Sequence, residues 1–316
     1  MDSNLRHPLT KDIPALRNIW ITVFGADDVE LFFSRYFNTE FCAALTVGDK
    51  PVAAGYLFRA GDAVFNGVVF PCVMIYGVST LPEFRNNGFG TAVVRSLIET
   101  AYAAGYPAVA LCPSEDSLFE YYSARTALRS YFYIHEQAFR APLSVNVYYG
   151  IAPVSAAQYG EIRTGLLAGV SHINFDDHAL VYQELLCSLS GGGLFRINTP
   201  AGDSCAVIER LPCGSVCLKE LLVPPGSWSD DLVDGILSVI APVFPAKEYT
   251  LRSPAHFSPA ADVDLHKSGT GVGVSEPGLQ RPGRDVRRFG MLAAPDSIFD
   301  TSDHKTGFPW LGLAFD

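Results

Sequence analysis

The 316-residue chain has no run of about 18 apolar residues, so no membrane-spanning helix is expected. Met1 to Thr10 lacks the apolar core of a signal segment. A concentrated basic face is also missing. Acidic residues outnumber basic ones 33 to 23, for a formal net charge of -10. That balance excludes the electrostatic footprint of a nucleic-acid binder. The short cluster Arg281, Arg284, Arg287 and Arg288 reads as a solvated loop. Cys213 and Cys217 stand four apart, with no second Cys or His pair at zinc-finger spacing, so no metal site is expected. The seven cysteines are odd in number, and most lie in apolar runs. They read as buried free thiols rather than a disulfide framework. A soluble protein in a reducing, cytoplasmic setting fits these absences, with neither a membrane nor a nucleic acid as partner.

Hydrophobic residues make up 48% of the chain and charged residues 18%, enough apolar material for a packed core. Thr10 reads as a helix N-cap. Ile13, Leu16, Trp20 and Val23 then recur at helical spacing until Gly25. A second helix is read over 27–37, and strands over 41–47 and 52–59. A further strand leads to Asn66-Gly67, a strong hairpin signal, followed by the β-branched run Val68 to Val78. After it Val93, Val94, Leu97, Ile98 and Ala101 trace one apolar helix face. A short strand (108–112), a helix (117–125) and a long strand (128–139) complete a mixed α/β order.

The second half repeats much of this order. Helices are read around Tyr159 to Leu166 and Leu180 to Cys187, and strands over 194–198, 205–210 and 215–223. Then come a loop at 224–230, a helix at 231–240 and a strand at 249–252. Ser253 to Arg284 is dense in Gly, Pro, Ser and charge, and reads as a long surface loop. The apolar end Phe308 to Asp316 reads as docked. The expected division is 1–145 and 146–316.

Arg85-x-x-Gly88-x-Gly90 sits between the long apolar strand and the amphipathic helix. A helix start presents unpaired N–H groups and a positive dipole end. Glycines let an anion approach the main chain, Thr91 adds a hydroxyl, and Arg85 adds charge or braces the loop. The result is a nest suited to a diphosphate. A Walker A loop would need Gly-Lys-Ser/Thr, which is absent, and position 93 is Val where a dinucleotide fingerprint needs Gly.

The run Arg85, Asn86, Asn87, Gly88, Phe89, Gly90 resembles the Q/R-x-x-G-x-G/A motif of the GNAT superfamily, and the resemblance spans roughly residues 8 to 140. It implies a mixed-sheet GNAT fold in the N-terminal half and acetyl-CoA as co-substrate. The backbone of Val78 and Thr80 would pair with the pantetheine arm, and the amides from Arg85 to Thr91 would hold the diphosphate. Tyr122 would face the leaving thiolate, with Tyr121 as the alternative register. The family's Gly-Phe after this tyrosine is replaced by Thr126-Ala127.

The two-part layout also resembles tandem GNAT proteins of the enhanced-intracellular-survival type, which implies a second, degenerate GNAT-like α/β half without a cofactor loop. In those proteins the C-terminus reaches the active site, which makes the carboxylate at Asp316 a candidate base. Val68 to Thr80 contains no carboxylate, so Glu115, His135 and Glu136 are further candidates. A covalent route through Cys72 or Cys112 has no His nearby in sequence. The implied activity is transfer of an acetyl group to an amine acceptor, a small molecule or a protein amine. The competing reading is a non-catalytic acyl-CoA binding or sensing protein.

Overall fold

The computed structural model describes residues 2–141, 149–255, 285–300 and 308–315. The chain forms two compact units that interleave along the sequence. The first gathers Met1–Phe132, Gly169–Tyr182 and Arg288–Lys305, and the second Tyr133–Ala168, Gln183–Arg287 and Thr306–Asp316. The sequence reading placed one boundary near residue 145. The compact units need several, because segments from late in the chain complete the first unit's sheet.

In the first unit, β1 (Ser3–Arg6), β2 (Cys42–Val47), β3 (Lys50–Phe65), β4 (Val68–Thr80), β5 (Ala108–Leu111) and β13 (Asp285–Ala293) lie side by side in that order. All neighbours run antiparallel except β4 and β5, which are parallel and joined through α3 (Phe89–Ala103). β3 is 16 residues long, and one partner cannot cover that side. Its first part pairs β2, and Gly61–Val64 pairs β8 (His172–Phe175). The β3–β4 connection turns at Asn66 and Gly67, with φ of 48° and 80°, as a two-residue hairpin requires.

One face of this sheet is covered by α3. Val93, Val94, Leu97, Ile98 and Ala101 are buried against Ala43, Leu57, Val73, Ile75, Val109 and Leu111. Phe119 and Tyr122 of α4 (Ser117–Ser123) join the same core. The helices α1 (Ile13–Phe24) and α2 (Val29–Arg35) carry an aromatic cluster onto β3 and β4. In it Trp20 stacks on Phe32 at 4.7 Å and meets Tyr56 and Tyr76 at 5.6 Å each. Thr10 is not the cap of α1. Thr10–Asp12 form a 3-10 turn, and buried Asp12 accepts from the Leu9 N–H at 2.7 Å and from Arg6 Nη1 at 2.6 Å. A carboxylate held by a guanidinium organises this junction more firmly than a hydroxyl can.

In the second unit the order is β7 (Gly150–Pro153), β9 (Gly193–Thr199), β10 (Gly202–Arg210), β11 (Val216–Leu222), β12 (Glu248–Pro254) and β6 (Arg129–Arg140). Again one neighbouring pair, β11 and β12, is parallel and joined through a helix, α7 (Asp230–Ile240). The helices α5 (Ala156–Leu166) and α6 (Asp177–Leu189) precede β9, with α6 starting in the first unit. The 3.6-residue pattern of α7 buries Leu232, Val233, Ile236, Leu237 and Ile240 against Val216, Leu218 and Leu251.

Fully buried Glu220 on β11 is the polar centre of this unit. It accepts from Tyr159 Oη at 2.7 Å, Arg163 Nε at 2.9 Å, Arg163 Nη2 at 3.1 Å and Trp310 Nε1 at 2.7 Å. These bonds fasten the apolar end, where Trp310, Leu311, Leu313 and Phe315 are buried.

Two expectations change here. Arg287 and Arg288 lie on β13, where Arg287 pairs with Glu136 of β6 and Arg288 with Glu120, rather than in a solvated loop. Arg281, Arg284 and most of the long 253–284 segment lie outside the described residues.

Candidate functional site

β4 and β5 pair only from Cys72↔Ala108 to Ile75↔Leu111. β5 ends there, whereas β4 continues to Thr80 with β3 as its one remaining partner. A bulge sets Gly77 and Val78 opposite Gly55, and Gly77 has φ +59°. Bulges of this kind re-aim the end of a strand. The last stretch of β4, which includes Val78 and Thr80, therefore has no strand partner on its β5 side among the described residues.

Beyond β4 the chain turns through a 3-10 helix at Pro82–Phe84 and enters α3. Asn86 has φ +64°, and Gly88, the N-cap of α3, has φ +75°. The first helical backbone bond is Ala92 N–H to the Gly88 carbonyl at 3.1 Å. The N–H groups of Phe89, Gly90 and Thr91 have no backbone acceptor among the described residues. These donors stand at the positive end of a 15-residue helix, at the positions where the glycine pattern led the sequence reading to expect a nest.

The loop's side chains brace it. Arg85 Nε donates to the Thr80 carbonyl at 3.3 Å, and Asn87 Nδ2 donates to the carbonyls of Phe84 and Arg85 at 3.1 Å each. A Cβ added at Gly90 would meet Thr80 Oγ1 at 3.9 Å and nothing nearer, so the approach to this turn is open. The Thr91 hydroxyl does not point into the nest as the sequence reading had it. It donates to Tyr121 Oη at 2.6 Å.

The two tyrosine registers part company. Tyr121 is half-buried, with its hydroxyl on Thr91 and its ring under the Arg125 guanidinium at 4.5 Å. Tyr122 belongs to the hydrophobic core, and burial, together with neighbouring Tyr121, pushes its phenol up to about 12.

The other candidates are placed as follows. Glu115 is exposed and accepts from Ser117 Oγ at 3.4 Å. Burial raises Glu136, but hydrogen bonds and charge from Arg287 and Arg252 outweigh it and hold the carboxyl below its usual range. His135 is buried with Nδ1 3.4 Å from Ser253 Oγ. Burial pushes the Cys72 thiol up to about 12, which keeps it from being an activated nucleophile, and Cys112 Sγ donates to the Phe289 carbonyl at 3.0 Å. Asp316 lies outside the described residues. Among the described residues no group of three or more His, Cys, Asp or Glu could hold a metal ion, and no helix is long and apolar enough to cross a membrane.

Comparison with known proteins adds the following. Residues 4–126 match the family model of the acetyltransferase (GNAT) domain. No curated protein matches this sequence. The fold is similar to a GCN5-related N-acetyltransferase from Kribbella flavida, with TM-score 0.61 and 16% identity, over 94% of this chain and 72% of that one. It is also similar to a GCN5-related N-acetyltransferase from Anabaena variabilis ATCC 29413, with TM-score 0.62 and 15% identity, over 92% and 72%. Eis1 from Mycobacterium abscessus aligns with TM-score 0.55 and 14% identity, over 92% and 73%.

Proposed function

We propose that this chain, whose residues 4–126 match the family model of the acetyltransferase (GNAT) domain, moves an acetyl group from acetyl-CoA to an amine. One observation carries the proposal. A β4 edge with no strand partner beyond Ile75 on its β5 side leads, through one turn, to a helix start whose first three N–H groups have no backbone acceptor among the described residues. The thioester's pantetheine arm is an extended diamide and suits the strand edge. Its diphosphate suits the nest of Gly88 to Thr91.

In this reading a neutral amine attacks the thioester carbonyl, a backbone N–H near Val78 stabilises the oxyanion, and as the C–S bond breaks the proton shed by the amine ends on the departing sulfur, which leaves as the coenzyme thiol. Tyr122 faces the departing sulfur. With its phenol near 12 against about 8.5 for a free thiol, complete proton transfer is uphill by about 5 kcal/mol. Tyr122 therefore acts as a hydrogen-bond donor to the thiolate, and positioning of the two substrates contributes more of the acceleration. The acceptor is a small-molecule or protein amine. The second unit is read as a degenerate GNAT-like half, on its matching strand order and its parallel pair joined by α7.

A second reading, an acyl-CoA binding or sensing protein without turnover, is favoured by the lack of any carboxylate on Val68 to Thr80. Calorimetry with acetyl-CoA followed by CoA release on an amine panel separates the two. Binding with amine-dependent release supports the transferase. Binding without release on any amine supports the sensor, and no binding removes both.

A further inference from the structure

Arg85, Arg95 and Arg125 surround the start of α3, and none of them pairs with a carboxylate among the described residues. This stands out in a chain of net charge -10. Elsewhere in the same unit Arg6, Arg17, Arg59, Arg129 and Arg288 each sit on an Asp or Glu, and Arg35 is the remaining one that pairs with none among the described residues. Glu120, the acidic residue nearest in sequence to Tyr121, is taken by Arg288, and Glu99, one turn beyond Arg95, makes no ion pair with it.

Two of the three arginines are held in place. Thr91 and Arg95 are four apart on one face of α3, and Tyr121 and Arg125 are four apart at α4 and its end. The two pairs meet as successive rungs. Thr91 donates to Tyr121 Oη at 2.6 Å, and Arg95 Nε donates to the Arg125 carbonyl at 2.6 Å. The Arg125 guanidinium then folds back over the Tyr121 ring at 4.5 Å, with Nη1 on the Tyr121 carbonyl at 3.3 Å. Both guanidinium groups are exposed, one helical turn from the nest, and the contacts above use only part of their N–H donors.

We infer that Arg95 and Arg125 form a second anion subsite, which takes the ribose 3′-phosphate of coenzyme A. The inference rests on the reading that the nest holds the coenzyme's diphosphate. In the coenzyme that diphosphate is bonded to the adenosine ribose, which carries the 3′-phosphate as a separate dianion. Two guanidinium groups without carboxylates satisfy it by charge-assisted bonds. The consequence is selectivity: the protein distinguishes acetyl-CoA from its 3′-dephospho form.

Calorimetry on the full chain with both compounds tests this. The unaltered protein is expected to bind acetyl-CoA about tenfold or more tighter than acetyl-3′-dephospho-CoA, the worth of one net charged hydrogen bond. The Arg95→Gln/Arg125→Gln protein is expected to bind acetyl-CoA as weakly as the dephospho form, with affinity for the dephospho form unchanged. Its thermal melt controls for loss of the Tyr121 stacking. Equal binding of both compounds by the unaltered protein overturns the inference and leaves the nest standing. So does a variant that weakens both compounds alike. Failure of both compounds to bind the unaltered protein removes the nest reading and the inference with it.

Discussion

Replacing Gly88 by Ala isolates the part that backbone conformation plays in the nest. Nothing lies within 4 Å of a Cβ built at this position, so no steric clash with the protein follows. The cost is conformational. At φ +75° an L-residue is disfavoured by about 1–2 kcal/mol, which lowers the melting temperature by a few degrees. Residue 88 relieves that strain by leaving the left-handed region, and the N–H groups of Phe89, Gly90 and Thr91 then no longer converge. Each lost bond to a charged phosphate is worth about 1.5–3 kcal/mol, so acetyl-CoA affinity falls by about tenfold to a hundredfold. Two companion variants separate geometry from bulk. Gly88→Asn tolerates the left-handed region and is expected to keep most of the affinity. Gly90 sits in the first turn of α3 with open space around it, so Gly90→Ala is expected to stabilise the free protein by up to about 1 kcal/mol. Calorimetry and thermal melts on the three proteins give the answer. If Gly88→Ala binds acetyl-CoA as tightly as the unaltered chain, the nest does not hold the diphosphate.

Tyr122→Phe preserves the packing and removes one hydrogen bond to the departing sulfur. It should lower kcat by about tenfold or more with KM for acetyl-CoA unchanged, and an unaltered kcat would refute the role. Because its phenol is pushed up to about 12, no alkaline limb of the rate profile below pH 10 should disappear in this variant. Glu220→Ala strands the buried Arg163 guanidinium and should cost about 3–5 kcal/mol in urea unfolding of the second unit, with loss of the Trp310 environment visible in fluorescence. Asp12 is held below its ordinary range, first by Arg6 and also by the Leu9 N–H, with burial opposing. Its stabilisation is therefore complete above the unfolded carboxyl value near 3.9, and is lost as pH falls through the lower folded value. Thermal melts across that acid range should flatten in Asp12→Asn, and an unchanged pH dependence would contradict the pairing.

Much of the first unit was legible because its signals are local. The apolar face of α3 came from a 3.6-residue period, and all five residues named from it are buried. Asn66-Gly67 announced a tight hairpin, and the backbone angles there are those of one. The glycine spacing before α3 pointed to the helix start whose first N–H groups lack backbone acceptors among the described residues. The failures share a cause, which is distance along the chain. β8 and β13 are short or late strands whose partners, β3 and β5, lie more than a hundred residues away, so no local pattern announces the pairing. Arg287 looked like part of a charged loop because its partner Glu136 is equally remote. Which of Tyr121 and Tyr122 enters the core and which meets Thr91 depends on the helix's rotation about its axis. Neighbouring aromatics of the same type do not encode that rotation. The Thr91 hydroxyl had two chemically suitable acceptors in prospect, an anion and a phenol, and only the packing of α4 against α3 selects the phenol.

The pairing of β13 with β5 bears on how the protein is made. As the chain leaves the ribosome, the parallel pair β4–β5 can form early, but the strand that covers the outer edge of β5 is translated much later, Met291 lying opposite Leu111. Until then a fully buried strand, Ala108 to Leu111, presents an open edge able to recruit other chains. An expression plasmid ending near residue 145 would make that transient state permanent.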